Sequence, residues 1–273
     1  MLLTPELEAS FRQRYNPEGS NLRKAQLRMV EMLMWFDEVM RKHGVEWFLE
    51  GGSLLGAVRH KGFIPWDDDI DVGIHVKDVK RVRDIFMHEK HPQYVFQCAE
   101  TDPYCFYMWD TLRDTKSKYV HTQHKMVVLE DLKKYRGVQI DIFPFDNHVN
   151  MQINNVLRYK EWGKTTIRIL GGSRGSLWLA AILHKIQLAL YAVARFLSRK
   201  KNYWTNAYGT GTGKGYVYPD GTLFPTSRVV FEGHEFPAPH DVDMFLRCHY
   251  GDYMQLPDDA EYNHHQLGDI EIW

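Results

Sequence analysis

The chain has 273 residues, 44% hydrophobic and 14% aromatic, enough apolar material for a core in one large domain or two small ones. Its formal net charge of −1 gives no argument for nucleic acid or an acidic partner. Three cysteines, Cys98, Cys105 and Cys248, form neither a Cys-x-x-Cys pair nor an even framework. With a start that does not read as a signal peptide, they point to a reducing cytoplasm.

Positions 1–20 are polar and punctuated by Pro and Gly, an arm or short helix without evident chemistry. Ser20-Asn21 then offers an N-cap, and Leu22, Ala25, Met29, Leu33, Phe36 and Met40 recur at helical spacing. Lys42, His43 and Gly44 supply C-terminal chemistry, so an amphipathic helix is expected, its methionines in the core. A first strand over 45–49 leads into Gly51-Gly52-Ser53, and a short helical pattern runs on to Arg59. The glycines let the backbone approach a phosphate, and free amides at the helix start can donate to it. Ser53 either adds its hydroxyl to that site or only caps the helix. Arg59 and Lys61 lie close enough in sequence to reach the same phosphate, or are solvated surface charge.

A second strand begins near Asp69. Ile70, Val72 and Ile74 alternate with Asp69, Asp71 and Gly73, which puts the apolar set on one face and both carboxylates on the other. Two carboxylates about 7 Å apart on one face repel unless a cation lies between them. Magnesium bridging to phosphates resolves this, because it takes hard oxygen ligands and few protein contacts. Pro65-Trp66 argues that Asp67 and Asp68 precede the strand, as turn or supporting groups.

A strand, a Gly-Gly-Ser turn, a helix and then Asp-x-Asp on a neighbouring strand resembles the nucleotidyltransferase superfamily, the polymerase β-like fold. The string GGSLLGAVRHKGFIPWDDDIDVGI resembles one branch more closely, the LicD family, which includes bacterial phosphocholine transferases and is related to fukutin. The resemblance implies an α+β nucleotidyltransferase fold: a twisted mixed sheet carrying an acidic cluster, flanked by helices, with a largely helical C-terminal half. A single domain over 1–273 is expected, with a core at 20–150 and a helical and hairpin part at 151–273.

Positions 76–90 read as a surface helix, with Val79, Val82, Ile85 and Phe86 inward. Strands are expected at 94–98 and 104–112. Arg113 resembles a basic position near the donor phosphates in the family, and an ion pair with Asp110 or Asp114 is the alternative. In GVQIDIFPFD, Val138, Ile140 and Ile142 alternate with Gln139, Asp141 and Phe143, so Asp141 repeats the placement of Asp69 and Asp71. An unpaired charge in so apolar a string would be costly. The string matches the family's Ile-Asp-Ile-Phe-Pro, which implies Asp141 as third acid of the cluster; Asp146 is assigned a structural place in the turn beyond.

The segment 177–197 is apolar enough to approach a membrane span, but His184, Gln187, Tyr191 and Arg195 make a polar stripe at near-helical spacing. A buried helix of the fold is the plainer expectation. A helix lying on a membrane surface, helped by Arg199, Lys200 and Lys201, is the other. The Gly-rich 208–216 stretch lacks P-loop spacing and is rejected. A hairpin is expected at 228–239, followed by a helix to His249. FEGHEFPAP to YGDYMQLP resembles the LicD C-terminal pattern, and His264 and His265 fall where family members carry tail histidines.

The resemblance implies transfer of a phospho-alcohol, phosphocholine first, from a CDP-alcohol to a hydroxyl of a cell-surface glycan or its lipid-linked precursor. Asp69, Asp71 and Asp141 would hold magnesium, or manganese in its stead. Gly51, Gly52, Ser53, Arg59, Lys61 and Arg113 would position the phosphates. The expected location is cytoplasmic, with peripheral contact at the inner membrane face through 177–201. Two other functions share these residues: nucleotidyl transfer from an NTP, and a non-catalytic binding protein of the same fold. The role of Glu50, beside the glycines, is open.

Overall fold

The computed structural model describes residues 2–121, 132–149, 153, 156, 161–207, 216–256 and 268–273. The arm is a helix, α1 (Pro5–Tyr15), capped by Thr4. The expected long helix is α2 (Asn21–Lys42): Ser20 Oγ accepts from the Arg23 amide, and Gly44 leaves it at φ +60°. Met29, Met32, Leu33, Phe36 and Met40 are fully buried against the sheet, so the methionine stripe is core. Its buried Gln26 has another use, donating through Nε2 to the Asp67 carbonyl at 2.9 Å and so fixing the loop before the acidic strand.

The sheet has the order β1-β2-β6-β4-β3, from β1 (Trp47–Leu49), β2 (Ile70–His75), β3 (Tyr94–Gln97), β4 (Asp110–Asp114) and β6 (Gln139–Asp146). Among the described strands, β2 and β6 run parallel and the other pairs antiparallel, which makes the sheet mixed. Ile70, Val72, Ile74, Ile140 and Ile142 are buried on one face, as the alternation requires. Between β1 and β2 lies α3 (Gly51–Arg59), and α4 (Val79–His88) packs Val82, Ile85 and Phe86 inward. The strand expected at 104–112 is shorter and later. Residues 104–109 form turns and irregular backbone, and pairing starts at Asp110, where β6 supplies a partner.

In the described residues of the C-terminal half, helices are joined by strands. This half contains α5 (Trp162–Leu170), α6 (Arg174–Leu197) and α7 (Val242–Tyr250), and also strands that complete the first half. β7 (Tyr203–Asn206) pairs with the end of β6, and β8 (Tyr218–Pro219) with β7. β11 (Gly268–Ile272) pairs with β5 (Ser117–His121). Asp146 closes β6 rather than sitting in a turn; fully buried, it accepts from Tyr191 Oη at 2.9 Å and Arg195 Nε at 3.3 Å on α6. α6 is not the buried helix that was expected: only 22% of its most apolar window is buried, because the polar stripe is the side that packs. Positions 208–215 of the rejected P-loop stretch, and His264 and His265, lie outside the described residues.

The hairpin at 228–239 forms as β9 (Ser227–Phe231) and β10 (His234–Ala238), with Glu232 at φ +48° and Gly233 at φ +80° in a primed turn. Its tip is a clamp. Glu232 accepts from Arg23 at 2.8 Å with one carboxylate oxygen and from the Phe63 amide at 3.1 Å with the other. Replacing Glu232 with Ala leaves a nearly buried guanidinium and an amide without that acceptor. A loss of about 2 kcal/mol in unfolding free energy is expected by urea denaturation; a loss below about 0.5 kcal/mol would show that the tip is not a clamp.

Candidate functional site

The parallel register of β2 and β6 places Asp71 directly beside Asp141. Neighbouring strands are about 4.8 Å apart, so two carboxylates on one face of such a pair meet. Asp69, just before β2, joins them: one oxygen from each of Asp69, Asp71 and Asp141 lies within 4.8 Å of the others. Asp67, Asp68 and Asp69 form an overlapping triplet within the same distance. The acids of β2 and β6 thus come together, and Asp67, read as a supporting turn residue, enters the group through Asp69.

Burial raises the proton affinity of every one of these acids, and repulsion by neighbouring carboxylates adds to it at Asp67, Asp69 and Asp71. Asp69 and Asp71 are held well above the usual carboxylate range, by desolvation first; the charges of Asp67, Asp68 and Asp141 then add to it at Asp69, and those of Asp69, Glu50, Asp141 and Asp67 at Asp71. Asp67 is pushed up to about 7 by burial and by Asp68, and Asp68 to about 6 by burial. Glu50, 6% exposed and beside Asp71, is pushed to about 7 by burial alone. Asp141 is raised less firmly, because burial is opposed by Arg113 and by the Thr111 hydroxyl. Thr111 Oγ1 donates to its Oδ1 at 3.0 Å and Gln139 Nε2 to its Oδ2 at 2.8 Å, so its rotamer is fixed.

Such a group fits a hard divalent cation. The donors are all carboxylate oxygens, they already converge, and charge between them would relieve the repulsion that raises their pKa values. The start of α3 is shaped around them. Gly51 has φ +52°, and a Cβ there would stand 3.4 Å from Asp71 Oδ2. A Cβ on Gly52 would stand 2.8 Å from Asp67 Oδ2. Ser53 neither caps the helix, whose N-cap is Glu50, nor is free: its Oγ accepts from the Asp71 amide at 2.9 Å, tying helix to strand.

The three cations expected at the phosphates have other partners. Arg59 lines the cavity in front of the acids, but its Nη1 donates to the Tyr253 and Gln255 carbonyls, both at 3.1 Å, and so holds the C-terminal wall. Lys61 is exposed, donates to the Val58 carbonyl at 3.1 Å and is not in the cavity lining. Arg113 is buried behind Asp141, donating to Gln97 at 2.9 Å and to the Gly137 carbonyl at 2.8 Å. The ion pairs considered for it go elsewhere: Asp110 binds Arg83, and Asp114 binds Arg28.

The cavity measures about 630 Å³ and has Asp67, Asp69 and Asp71 on one side and aromatic residues on the other. Trp66 comes from the loop before β2; Tyr216, His249, Tyr250 and Tyr253 come from the far end of the chain. His249 stacks on Tyr216 at 3.8 Å between centroids, bonds Tyr218 Oη at 3.0 Å, and is pushed down to about 4 by burial, so it is neutral. The sequence reading missed this wall and Asp67. The in-phase spacing of Asp67 was a signal for the latter.

Protons would compete with a divalent cation for these acids, which would set a pH dependence. Groups with raised pKa values hold their protons through pH 5.5 and release them near and above 7, so cation affinity must rise with pH. The magnesium-induced increase in melting temperature is expected to be small at pH 5.5 and full at pH 8, and absent in Asp71→Asn. An equal shift at both pH values would exclude the acid group as the cation site. Gly52→Ala should leave the melting temperature of the metal-free protein within a few degrees, since a side-chain carboxylate can yield, yet diminish the magnesium shift by displacing Asp67.

Residues 44–168 match the family model described as "LicD/FKTN/FKRP, nucleotidyltransferase domain". The chain is similar to the lipopolysaccharide cholinephosphotransferase LicD of Haemophilus influenzae, 28% identical over 269 residues that cover 92% of this chain and 98% of that protein. It is 30% identical over 186 residues to an uncharacterized protein of Rickettsia typhi, covering 61% of this chain and 57% of that one. A stretch of 41 residues is 58% identical to the human ribitol 5-phosphate transferase FKRP, 15% of this chain and 8% of that one.

Proposed function

Because the chain belongs to the LicD and fukutin-related family, we propose that it is a phospho-alcohol transferase, using a CDP-alcohol donor and a hydroxyl of a cell-surface glycan or its lipid-linked precursor as acceptor. The observation that carries this is similarity along nearly the whole length of a lipopolysaccharide cholinephosphotransferase. The acceptor oxygen attacks the phosphorus that bears the alcohol, a new P–O ester bond forms, and the bond to the bridging oxygen breaks to release CMP. Phosphocholine is the first choice of cargo, because a quaternary ammonium would be attracted to the aromatic rings of Tyr216 and Tyr250 and to the carboxylate of Asp252, all of which line the cavity.

Asp69, Asp71 and Asp141 would hold magnesium or manganese, which when bound supplies neutralising charge at the pyrophosphate and at the departing CMP oxygen. The residues around them do the positioning. The first amides of α3, at Gly51, Gly52 and Ser53, have no acceptor within their own helix and donate to donor phosphate oxygens. Arg59 holds the wall that covers the donor, and Arg113 opposes from behind the effect of burial on Asp141. Asp141, fixed by Thr111 and Gln139, orients the acceptor hydroxyl and receives its proton.

The test is a thermal-shift panel of CDP-choline, CDP-ethanolamine, CDP-glycerol, CDP-ribitol, CTP, UTP and ATP, with and without magnesium, followed by turnover with the binding donor. One CDP-alcohol at a hundred times its Kd should add about 2.7 kcal/mol in the presence of magnesium only. Asp141→Asn, which removes one ligand of the group, should weaken that magnesium-dependent shift and lose about 10²–10⁴-fold in turnover. A shift with NTPs alone would replace this reading with nucleotidyl transfer, and no shift with any nucleotide would overturn the donor assignment.

A further inference from the structure

Helix α6 carries its polarity inside out. Its buried residues are Ser176, Ala180, His184, Gln187 and Tyr191, a single stripe at helical spacing that is mostly polar. The stripe is committed to the protein: Gln187 Oε1 accepts from the Trp162 amide at 3.0 Å, and Tyr191 and Arg195 both bond Asp146 at the end of β6. The opposite face is largely apolar and open, with Lys185 exposed among its apolar residues. Trp178 is 69% exposed, Val193 54%, Phe196 88% and Leu197 74%, and Ile169 of α5 adds 73%. Isolated exposed apolar residues are ordinary; a row of them along two adjoining helices marks a contact surface.

Charge identifies what it contacts. Between positions 162 and 219 the chain has nine Lys and Arg and not one Asp or Glu, in a protein whose formal net charge is −1. Arg199 and Lys200, exposed directly after α6, and Lys201 form a basic cluster at the end of the apolar face. A two-fold contact with a second copy would bring two such acid-free surfaces together, against their like charge. An apolar face flanked by cations matches an anionic lipid surface, whose acyl region takes the apolar side chains and whose headgroups take the lysines and arginines.

We propose that α6, with the end of α5, is a membrane-docking surface that lies in the plane of an anionic bilayer. α6 is long and apolar enough to cross a membrane. Crossing, however, would strip its polar stripe of Asp146 and the Trp162 amide, whereas lying in the plane keeps those bonds. The surface does not depend on the reaction class proposed above. It would hold the protein where a lipid-linked substrate is found.

The test is co-sedimentation of the full-length protein with vesicles of phosphatidylcholine alone and with one quarter phosphatidylglycerol, at low and high salt. The wild type should partition at least ten-fold more strongly onto the anionic vesicles, and salt should weaken it. Val193→Asp combined with Phe196→Asp, and separately Arg199→Glu, Lys200→Glu and Lys201→Glu together, should each lose at least ten-fold. Melting temperature and the donor-induced thermal shift should be unchanged in both variants. Absence of anionic partitioning, or variants that partition like wild type, would overturn the surface. So would a vesicle-free, concentration-dependent dimer that the double aspartate variant dissolves, which would assign the face to a second copy. Vesicle binding without any donor shift would instead retain the surface and remove the transferase reading, so the two fail separately.

Discussion

The organising constraint of this protein is repulsion among carboxylates that its own sheet forces together. β2 and β6 are the one parallel pair among the described strands of the sheet, and their register sets Asp71 against Asp141. Their other faces are isoleucine and valine, fully buried, so neither strand can slip by one residue without exposing its core side. The apolar half of each strand therefore enforces the electrostatic cost of the polar half. Much of the surrounding structure serves to hold that arrangement. Gln26 fixes the Asp67 carbonyl, Tyr119 donates to the carbonyl of Asp68, Ser53 grips the Asp71 amide, and Glu232 fastens the loop that leads in.

Much of this was legible in the sequence where the cause is local. The N-cap at Ser20, the period-two alternation of 69–74 and 138–143, and the Glu232-Gly233 turn depend on neighbours a few residues away, and each element formed close to where its pattern lies. The partners of charged residues were not legible, because they are tertiary. Nothing local to Arg59 shows that carbonyls at 253 and 255 will take its guanidinium, or near Arg113 that Gln97 and Gly137 will take it. Asp67 was discounted because Pro65-Trp66 delays the strand. The strand is delayed, yet a carboxylate in the turn still reaches the cluster. The polar stripe of α6 was visible at its helical spacing, but periodicity cannot say which side faces in; the buried Asp146 decides that.

β6 unites these features. In eight residues it carries the site acid Asp141, the apolar set that fixes its register, and at its end Asp146, which anchors α6. The similarity to a cholinephosphotransferase runs over nearly the whole chain, so it covers both the acidic strands and the helical segment that β6 links to them.

The contacts that finish the cavity have a temporal consequence. Arg59 meets carbonyls 194 and 196 residues later, and Arg23 meets Glu232 across a separation of 209. Ribosomal synthesis proceeds from the N-terminus at about 5–20 residues per second, so the acidic strands emerge seconds before the residues that wall them. Nascent chains must pass through a stage in which repelling carboxylates have been made but their enclosing aromatic face has not. Closure of loops this long is slow relative to local pairing. The cavity is thus among the last parts of this protein to mature, and folding errors in the final quarter of the chain would cost both its aromatic wall and core residues such as Phe236 and Phe245 that pack with the sheet.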